Sequence, residues 1–178
     1  MSAAKNAPKR WRHRTFTSRS RRLRVVSLER LEDRLTPSGD FAFGLGISSP
    51  TGSAQALAVA ARDDGGVYVT GSFLGTVDFD PRPGTTVNLT SAGNYDIFVA
   101  RYDNTGGLVW ARSLGGSASD TGRDIAVDFR GDVYITGDFA GTADFDPEPG
   151  RTYTLTSAGG SDVFVATLDA DGNFFWAK

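Results

Sequence analysis

Cysteine is absent from the 178 residues, and there is a single histidine, His13. The absence of cysteine excludes a disulfide framework and thiolate metal sites. Because His13 is the single histidine, histidine-based triads and His-rich zinc or iron sites are excluded from the rest of the chain. Long apolar runs are also missing, so no transmembrane segment is predicted. For the same reason no standard secretory signal is predicted, because its apolar core does not follow the basic N-terminus.

The net charge of −2 conceals two halves of opposite sign. Residues 1–40 hold 11 Lys or Arg and 4 Asp or Glu, a net charge of +7. Residues 41–178 hold the other 8 basic and 17 acidic residues, a net charge of −9. The sequence therefore predicts a basic arm over 1–40 and a separate acidic body over 41–178.

The basic arm has too little apolar surface to fold by itself, and we expect most of it to be disordered. Leu28, Leu31 and Leu35 have helical spacing ahead of Pro37 and Gly39, which predicts one short helix. Three roles fit such a segment. Its arginines could bind nucleic-acid phosphates, it could be a solvated tail, or it could direct the chain to its location.

The second half of the arm, a basic run followed by SLERLEDRLTPS, resembles the opening segment of large surface or secreted repeat proteins of planctomycete-type bacteria. The resemblance covers about residues 19–38, with the core residues Leu31, Glu32, Asp33 and Arg34. It implies sorting to the cell envelope or to the outside of the cell. Targeting is therefore favoured over the solvated tail, and nucleic-acid binding is the least expected role.

The acidic body is an internal duplication. Residues 67–103 align without gaps to residues 133–169, with 24 identities in 37 positions and a period of 66 residues. Upstream, the letters LAVA at 57–60 match IAVD at 125–128, which implies a following loop that is two residues longer in the first copy. Similarity on this scale indicates a repeated structural unit.

Each copy predicts four strands, because short β-branched and aromatic runs alternate with Gly, Asp and Asn turns. In the second copy these runs are IAVD, VYITG, DVFVATLD and FFWAK, and no segment between them has a helical stripe. About two dozen residues separate the second and third strands, from Ser72 to Tyr95 in the first copy. We expect this insert to form an extra hairpin that projects from the sheet.

The predicted strands are apolar on both faces, as in DIFVARYD. This pattern is typical of a sheet stacked between two similar sheets. Trp110 and Trp176 recur near the last strand of each copy, and packing between sheets is their expected role. Together with IAVDFRGDVYITG and DVFVATLDADGNFFWA, these features resemble bacterial β-propeller repeats of the SBBP type, which are related to NHL-like propeller blades.

This resemblance implies an all-β fold of two four-stranded propeller-type blades, about 57–114 and 125–178. The leftover strand 41–47 would be an outer strand of the kind that closes a propeller. Propellers typically need four to eight blades. Two blades make an incomplete propeller, and we expect a fragment of a larger array or, as the alternative, self-association that completes the ring.

One acidic phrase occurs in both inserts, as GTVDFDPRPGTT and GTADFDPEPGRT. On an extended strand its carboxylates would share one face, and Asp78, Asp80, Asp144 and Asp146 are candidate Ca²⁺ ligands. The loop DADGN looks more like a calcium loop than its counterpart DNTGG. The alternative is that the four carboxylates accept hydrogen bonds from turn N–H groups ahead of the prolines. Since Ca²⁺ needs more oxygens than the phrase offers, no cofactor is expected, with calcium as the alternative.

An enzyme is not predicted, because the prominent acidic residues recur in both copies, whereas one active site needs different groups in different roles. No catalytic residue is assigned. The sequence favours a non-enzymatic structural or binding module of an exported or cell-envelope protein, with a protein or a surface polysaccharide as its partner. A fragment of a propeller hydrolase or lyase, and a calcium-binding surface module, are the alternatives.

Overall fold

The computed structural model of the protein describes Gly46, Ile47, Ser49 and residues 51–178. The predicted basic arm, with its sorting segment and short helix, lies outside the described residues. The predicted outer strand also lies outside them as far as residue 45, and the two described residues at its end belong to no strand.

The described residues form twelve β-strands. None of them belongs to a helix with the length and apolar character that a membrane crossing requires. The strands, in chain order, are β1 (Ser53–Ala61), β2 (Val67–Leu74), β3 (Thr76–Asp78), β4 (Asn88–Thr90), β5 (Asp96–Tyr102), β6 (Leu108–Gly116), β7 (Thr121–Val127), β8 (Val133–Phe139), β9 (Thr142–Asp144), β10 (Thr154–Thr156), β11 (Asp162–Leu168) and β12 (Phe174–Ala177).

Two four-stranded antiparallel meanders make up the body. The first has the order β1-β2-β5-β6 and the second the order β7-β8-β11-β12. In each, the insert between the second and third strands forms a short hairpin, β3-β4 or β9-β10. The predicted all-β fold with two propeller-type blades of four strands is therefore confirmed, and the described sheets do not close into a ring.

The strand register corrects the alignment of the first strands. Val59 pairs with Val69, and Ile125 pairs with Ile135, so Val59 and Ile125 are equivalent positions 66 residues apart. The expected match of LAVA with IAVD is wrong, and so is the longer loop, since the two turns hold the same main-chain hydrogen bonds. A shift of two residues preserves the alternation of a strand, which is why the letters alone allowed the error.

The insert hairpins lie against the sheets. The expectation that they project from the sheets is therefore wrong. In the first blade Phe79 is fully buried, with its ring centroid 5.7 Å from that of Phe73 and 4.9 Å from that of Phe98. The hydroxyl of Tyr102 donates to the carbonyl oxygen of Phe79 at 3.1 Å. Phe145 takes the same place in the second blade. The hairpin folds back because its apolar side chains and the second face of the sheet cover each other.

The hairpin of the second blade also links the two blades. Strand β9 pairs with the last two residues of β6, so the first sheet continues into six strands. The described residues ahead of the first blade take the matching place beside its own hairpin. Ile47 packs on the cluster around Phe79, and Ser49 Oγ donates to the carbonyl oxygen of Thr76 at 3.3 Å.

The larger apolar cluster runs between the blades. It joins Tyr68, Ile97 and Trp110, on one face of the first blade, to Ile125 and Ile135 of the second. The other face of the first blade is covered by its insert hairpin. Burial of both faces, expected from the strand pattern, is therefore confirmed for the first blade.

Gly137 and its equivalent Gly71 lie opposite the bulge in the first strand of each blade. A Cβ at Gly137 would lie 1.9 Å from Thr121 O and 2.9 Å from Phe164 Cε1. We expect Gly137→Ala to lower the free energy of unfolding by about 2 kcal/mol or more, because main chain must shift to admit the methyl group. Gly160→Ala is the control, since the space around that position is open.

Urea denaturation of the two glycine variants measures this difference. The control should change the free energy of unfolding by less than about 0.5 kcal/mol. Equal stability of the two variants would show that the strands are not held as closely as the structure places them.

Candidate functional site

The acidic phrase forms the turn of each insert hairpin. Strand β3 ends at Asp78, whose Oδ1 accepts hydrogen bonds from the main-chain N–H of Asp80 at 3.0 Å and of Val87 at 2.8 Å. The buried Asp80 accepts a bond from Arg82 N at 3.1 Å and pairs with the Arg82 guanidinium through both oxygens, at 2.9 and 2.7 Å. The sequence predicted an extended strand through both Asp78 and Asp80, but the strand ends at Asp78.

The second copy keeps this turn but takes its arginine from another position. Asp144 Oδ1 accepts from Asp146 N at 3.0 Å and from a main-chain N–H across the hairpin at 2.8 Å. The buried Asp146 lies 3.4 Å from Arg151 Nε. Glu148 occupies the position of Arg82 in the first copy, so the compensating cation has moved within the turn while the buried carboxylate has stayed.

These contacts are the turn-capping hydrogen bonds that formed the alternative to calcium. Hydrogen bonds from the Arg82 guanidinium hold the pKa of the Asp80 carboxyl well below its usual value. Within the described part of the chain, no group of three or more Asp, Glu or His side chains is placed to hold a metal ion. Calcium binding by the four carboxylates stays a prediction, and an ion would have to displace both arginines.

Substitution of Asp144 separates the two roles. Asp144→Ala removes the acceptor of two main-chain N–H groups and should lower the free energy of unfolding by about 1–2 kcal/mol. Asp144→Asn keeps the acceptor oxygen, so it should cost less than half as much. Urea denaturation measures both effects.

Calcium titration calorimetry on the unaltered chain and on Asp78→Asn/Asp80→Asn accompanies that comparison. We expect no heat of binding from either chain. Heat from the unaltered chain that disappears in the double variant would contradict a role limited to the turn.

At the opposite end of each blade, the tight turn between the last two strands begins with an aspartate. Asp103 Oδ1 accepts from Thr105 N, Thr105 Oγ1 and Gly107 N, and these bonds lower the pKa of its carboxyl. Asp169 Oδ1 accepts from the main chain in the same way, including Asn173 N at 2.9 Å. The DADGN loop, which looked most like a calcium loop, thus uses its first carboxylate to hold its own turn.

The DADGN loop is also where the second blade docks on the first. Trp110 Nε1 donates to the carbonyl oxygen of Ala170 at 3.0 Å. Arg112 donates to those of Gly172 at 3.0 Å and Asp171 at 3.1 Å. Gly172 lies against the indole, since a Cβ there would be 2.9 Å from the ring. The expected packing of Trp110 between the sheets is confirmed, and its N–H adds a directional contact.

Two buried carboxylates meet at the hairpin end of the same junction. Asp96 Oδ2 accepts from a main-chain N–H at 2.8 Å, while its Oδ1 has no hydrogen-bond partner among the described residues. Asp120 is fully buried and accepts from Gly116 N at 2.8 Å and Ala140 N at 3.1 Å. Gly115 lies between them, where a Cβ would be 2.9 Å from an oxygen of each carboxylate.

The sequence prediction missed this carboxylate pair. Asp96 repeats as Asp162, which gives it the appearance of an ordinary residue before a strand. Asp120 has Ala54 at the equivalent position of the first blade. That departure from the repeat was the available signal, because the blade fold does not by itself require an acidic residue there.

The carboxylate pair makes stability depend on pH. Burial raises the pKa of Asp96 to about 6, and repulsion from Asp120 acts in the same direction. Between about pH 4 and pH 6 the folded chain therefore holds a proton that an unfolded Asp releases. This contribution to stability is complete below about pH 4 and is lost as the pH rises through 6.

Acidification from pH 7 to pH 5 should accordingly raise the melting temperature by about 5 °C. Asp96→Asn should remove most of this rise, whereas Asp162→Asn, at the partly exposed equivalent, should keep it. The body has no histidine to titrate in this interval. Thermal unfolding followed by circular dichroism checks the expectation, and a melting temperature that falls on acidification in the unaltered chain would contradict it.

An open cleft of about 390 Å³ lies where the first strands of the two blades begin. Its walls carry small polar side chains and one half-exposed aromatic ring, from Ser53, Gln55, Ser72, Tyr95 and Thr121. An aromatic face surrounded by hydroxyl and amide groups can contact a peptide or a sugar. The cleft is therefore the candidate contact surface at this end of the blades.

Residues 109–138 match the family model of the SBBP β-propeller repeat. The match begins in the last strand of the first blade and ends in the second strand of the second blade, so it spans the junction that Trp110 and Asp120 form. It agrees with the blade resemblance predicted from the sequence. The fold of the body is that of two propeller-type blades, and residues 109–138 are similar to one propeller repeat.

Two curated relatives are similar to this chain over about two thirds of its length. The "Uncharacterized WD repeat-containing protein L264" of Acanthamoeba polyphaga mimivirus is 26% identical over 126 residues, which are 67% of this chain and 9% of the relative. The "Regulatory protein FlaEY" of Caulobacter vibrioides is 31% identical over 127 residues, 69% of this chain and 12% of the relative. The chain thus spans about a tenth of the length of these relatives.

Proposed function

We propose that the chain is a non-enzymatic structural or binding repeat module of an exported or cell-envelope protein. The use of its acidic residues carries the proposal. In both blades the aspartates of the insert hairpin hold its turn through main-chain N–H groups, and an arginine pairs with the buried aspartate of each hairpin. Carboxylates bound in this way have little freedom to act as general acid or base.

Membership in a larger propeller is part of the same proposal. The similar proteins are about ten times longer than the matched segment, and a ring of blades typically needs at least four. The basic segment over about 19–38, which resembles the sorting segment of surface repeat proteins, supports the envelope or extracellular location.

A protein or a surface polysaccharide is the expected partner. A relative whose name includes WD repeats favours a protein, and the cleft beside Tyr95 offers an aromatic contact for either. The net charge of −9 on residues 41–178 disfavours binding of the body to nucleic acid, because phosphates would be repelled.

Fractionation of cells that produce the tagged chain tests the location. We expect the full chain in the envelope fraction or the medium, because the basic segment would direct it there. Residues 41–178 alone should remain inside the cell, and a full-length Leu31→Asp/Arg34→Glu variant should remain there as well. Recovery of the full chain inside the cell together with both variants would contradict the proposed sorting.

Assays with chromogenic glycosides and esters test the non-enzymatic part. The purified chain should give no turnover above the blank. Turnover that a single Asp→Asn substitution removes would replace the proposal with the hydrolase alternative.

A further inference from the structure

The second blade exposes an apolar face whose equivalent in the first blade is buried. In the first blade Tyr68, Ile97 and Val99 are 0% exposed and Trp110 is 7% exposed, because the second blade covers them. We call the equivalent side of the second blade the outer face; it consists of Tyr134, Val163, Val165 and Trp176. Val163 is 76% exposed there, and Tyr134 and Val165 are each 39% exposed.

The first blade exposes the complementary half of the same contact. Ile125 of the second blade is 7% exposed because it packs against the first blade, whereas its equivalent Val59 is 66% exposed. The turn at 103–107 is likewise the equivalent of the docking loop at 169–173. We call Ala56, Val59 and this turn the leading face.

We propose that the outer face of one chain binds the leading face of a second copy, in the geometry that joins the two blades within the chain. Each copy carries both halves of a contact that its own interior already contains. The contact is head-to-tail, so successive copies add blades in one direction and can close into a ring. Trp176 Nε1 would then donate to Asn104 O of the second copy, as Trp110 Nε1 donates to Ala170 O.

One position sets the strength of this association. Gly122 of the second blade lies so close to the first that a Cβ would be 2.3 Å from Thr70 Oγ1 and 3.0 Å from Ile97 Cγ2. Its equivalent on the leading face is Ala56, which does have a Cβ. In the proposed contact this atom would overlap with Thr136 of the other copy, the equivalent of Thr70. The unaltered chain therefore associates weakly, and Ala56→Gly should tighten the association about tenfold by removing the overlap.

Sedimentation equilibrium of the full chain over a wide range of concentrations tests the assembly. We expect a reversible equilibrium between monomer and closed oligomers in the unaltered chain, shifted to lower concentration by Ala56→Gly. Trp176→Ala should leave the chain monomeric. The matched control is Phe175→Ser, because Phe175 is 69% exposed but its equivalent Val109 is also 48% exposed in the first blade and so lies outside the contact.

A mixing experiment tests the head-to-tail arrangement. Trp176→Ala disables the outer face and Val59→Asp disables the leading face, so each variant alone should be monomeric. An equimolar mixture should form a dimer through the two intact faces. Circular dichroism of each variant confirms that it is folded before the mixture is made.

Monomeric behaviour of both the unaltered chain and Ala56→Gly at all concentrations would overturn the proposal. Loss of association in Phe175→Ser equal to that in Trp176→Ala would also overturn it, because it would indicate non-specific hydrophobic contact. The inference rests on the proposed membership in a larger propeller and assigns the neighbouring blades to further copies of this chain, but its failure is separable. A chain that is monomeric yet sorted to the envelope would retain the proposed function and lose only the assembly.

Discussion

Both described blades have apolar side chains on the two faces of their sheets, and much of the described structure follows from the need to cover them. A sheet with one polar face needs only a single core, whereas these sheets have apolar area to cover on both sides. The first blade meets the requirement with the second blade on one side and its own folded-back hairpin on the other. Burial of apolar area thus favours the stacking of the blades. It also favours a hairpin packed on the sheet over one that extends into solvent.

The aspartates that hold turns are consequently found at the two ends of the blades. Main-chain groups in the turns still need partners, and aspartate provides one in the insert hairpins and in the tight turns at the other end. The neutralising arginine can move from position 82 to position 151, because the buried carboxylate needs a cation and not a particular residue. The loop surface and the cleft beside Tyr95 are exposed for recognition at these ends.

The junction between blades combines an apolar contact with two polar devices. At one end the indole of Trp110 meets the main chain of the docking loop. At the other, Asp96 and Asp120 are brought together in a buried position that only Gly115 leaves open. The second device costs stability near neutral pH, since two neighbouring carboxylates are both removed from water there. The apolar contact therefore stabilises the junction, while the buried carboxylates make its stability depend on pH.

The sequence by itself determined the strand content, the 66-residue unit and the apolar character of both faces, because alternation and periodicity are local properties of the chain. It also indicated the role of Trp110. Only the tertiary structure decided that Val59 and Ile125 are equivalent positions, because a two-residue shift preserves the alternation of a strand. It also decided that Phe79 packs onto the sheet. It alone brought Asp96 to Asp120, since residues from different blades meet only when the blades stack. Which face of the second blade stays uncovered is likewise a property of the assembled sheets.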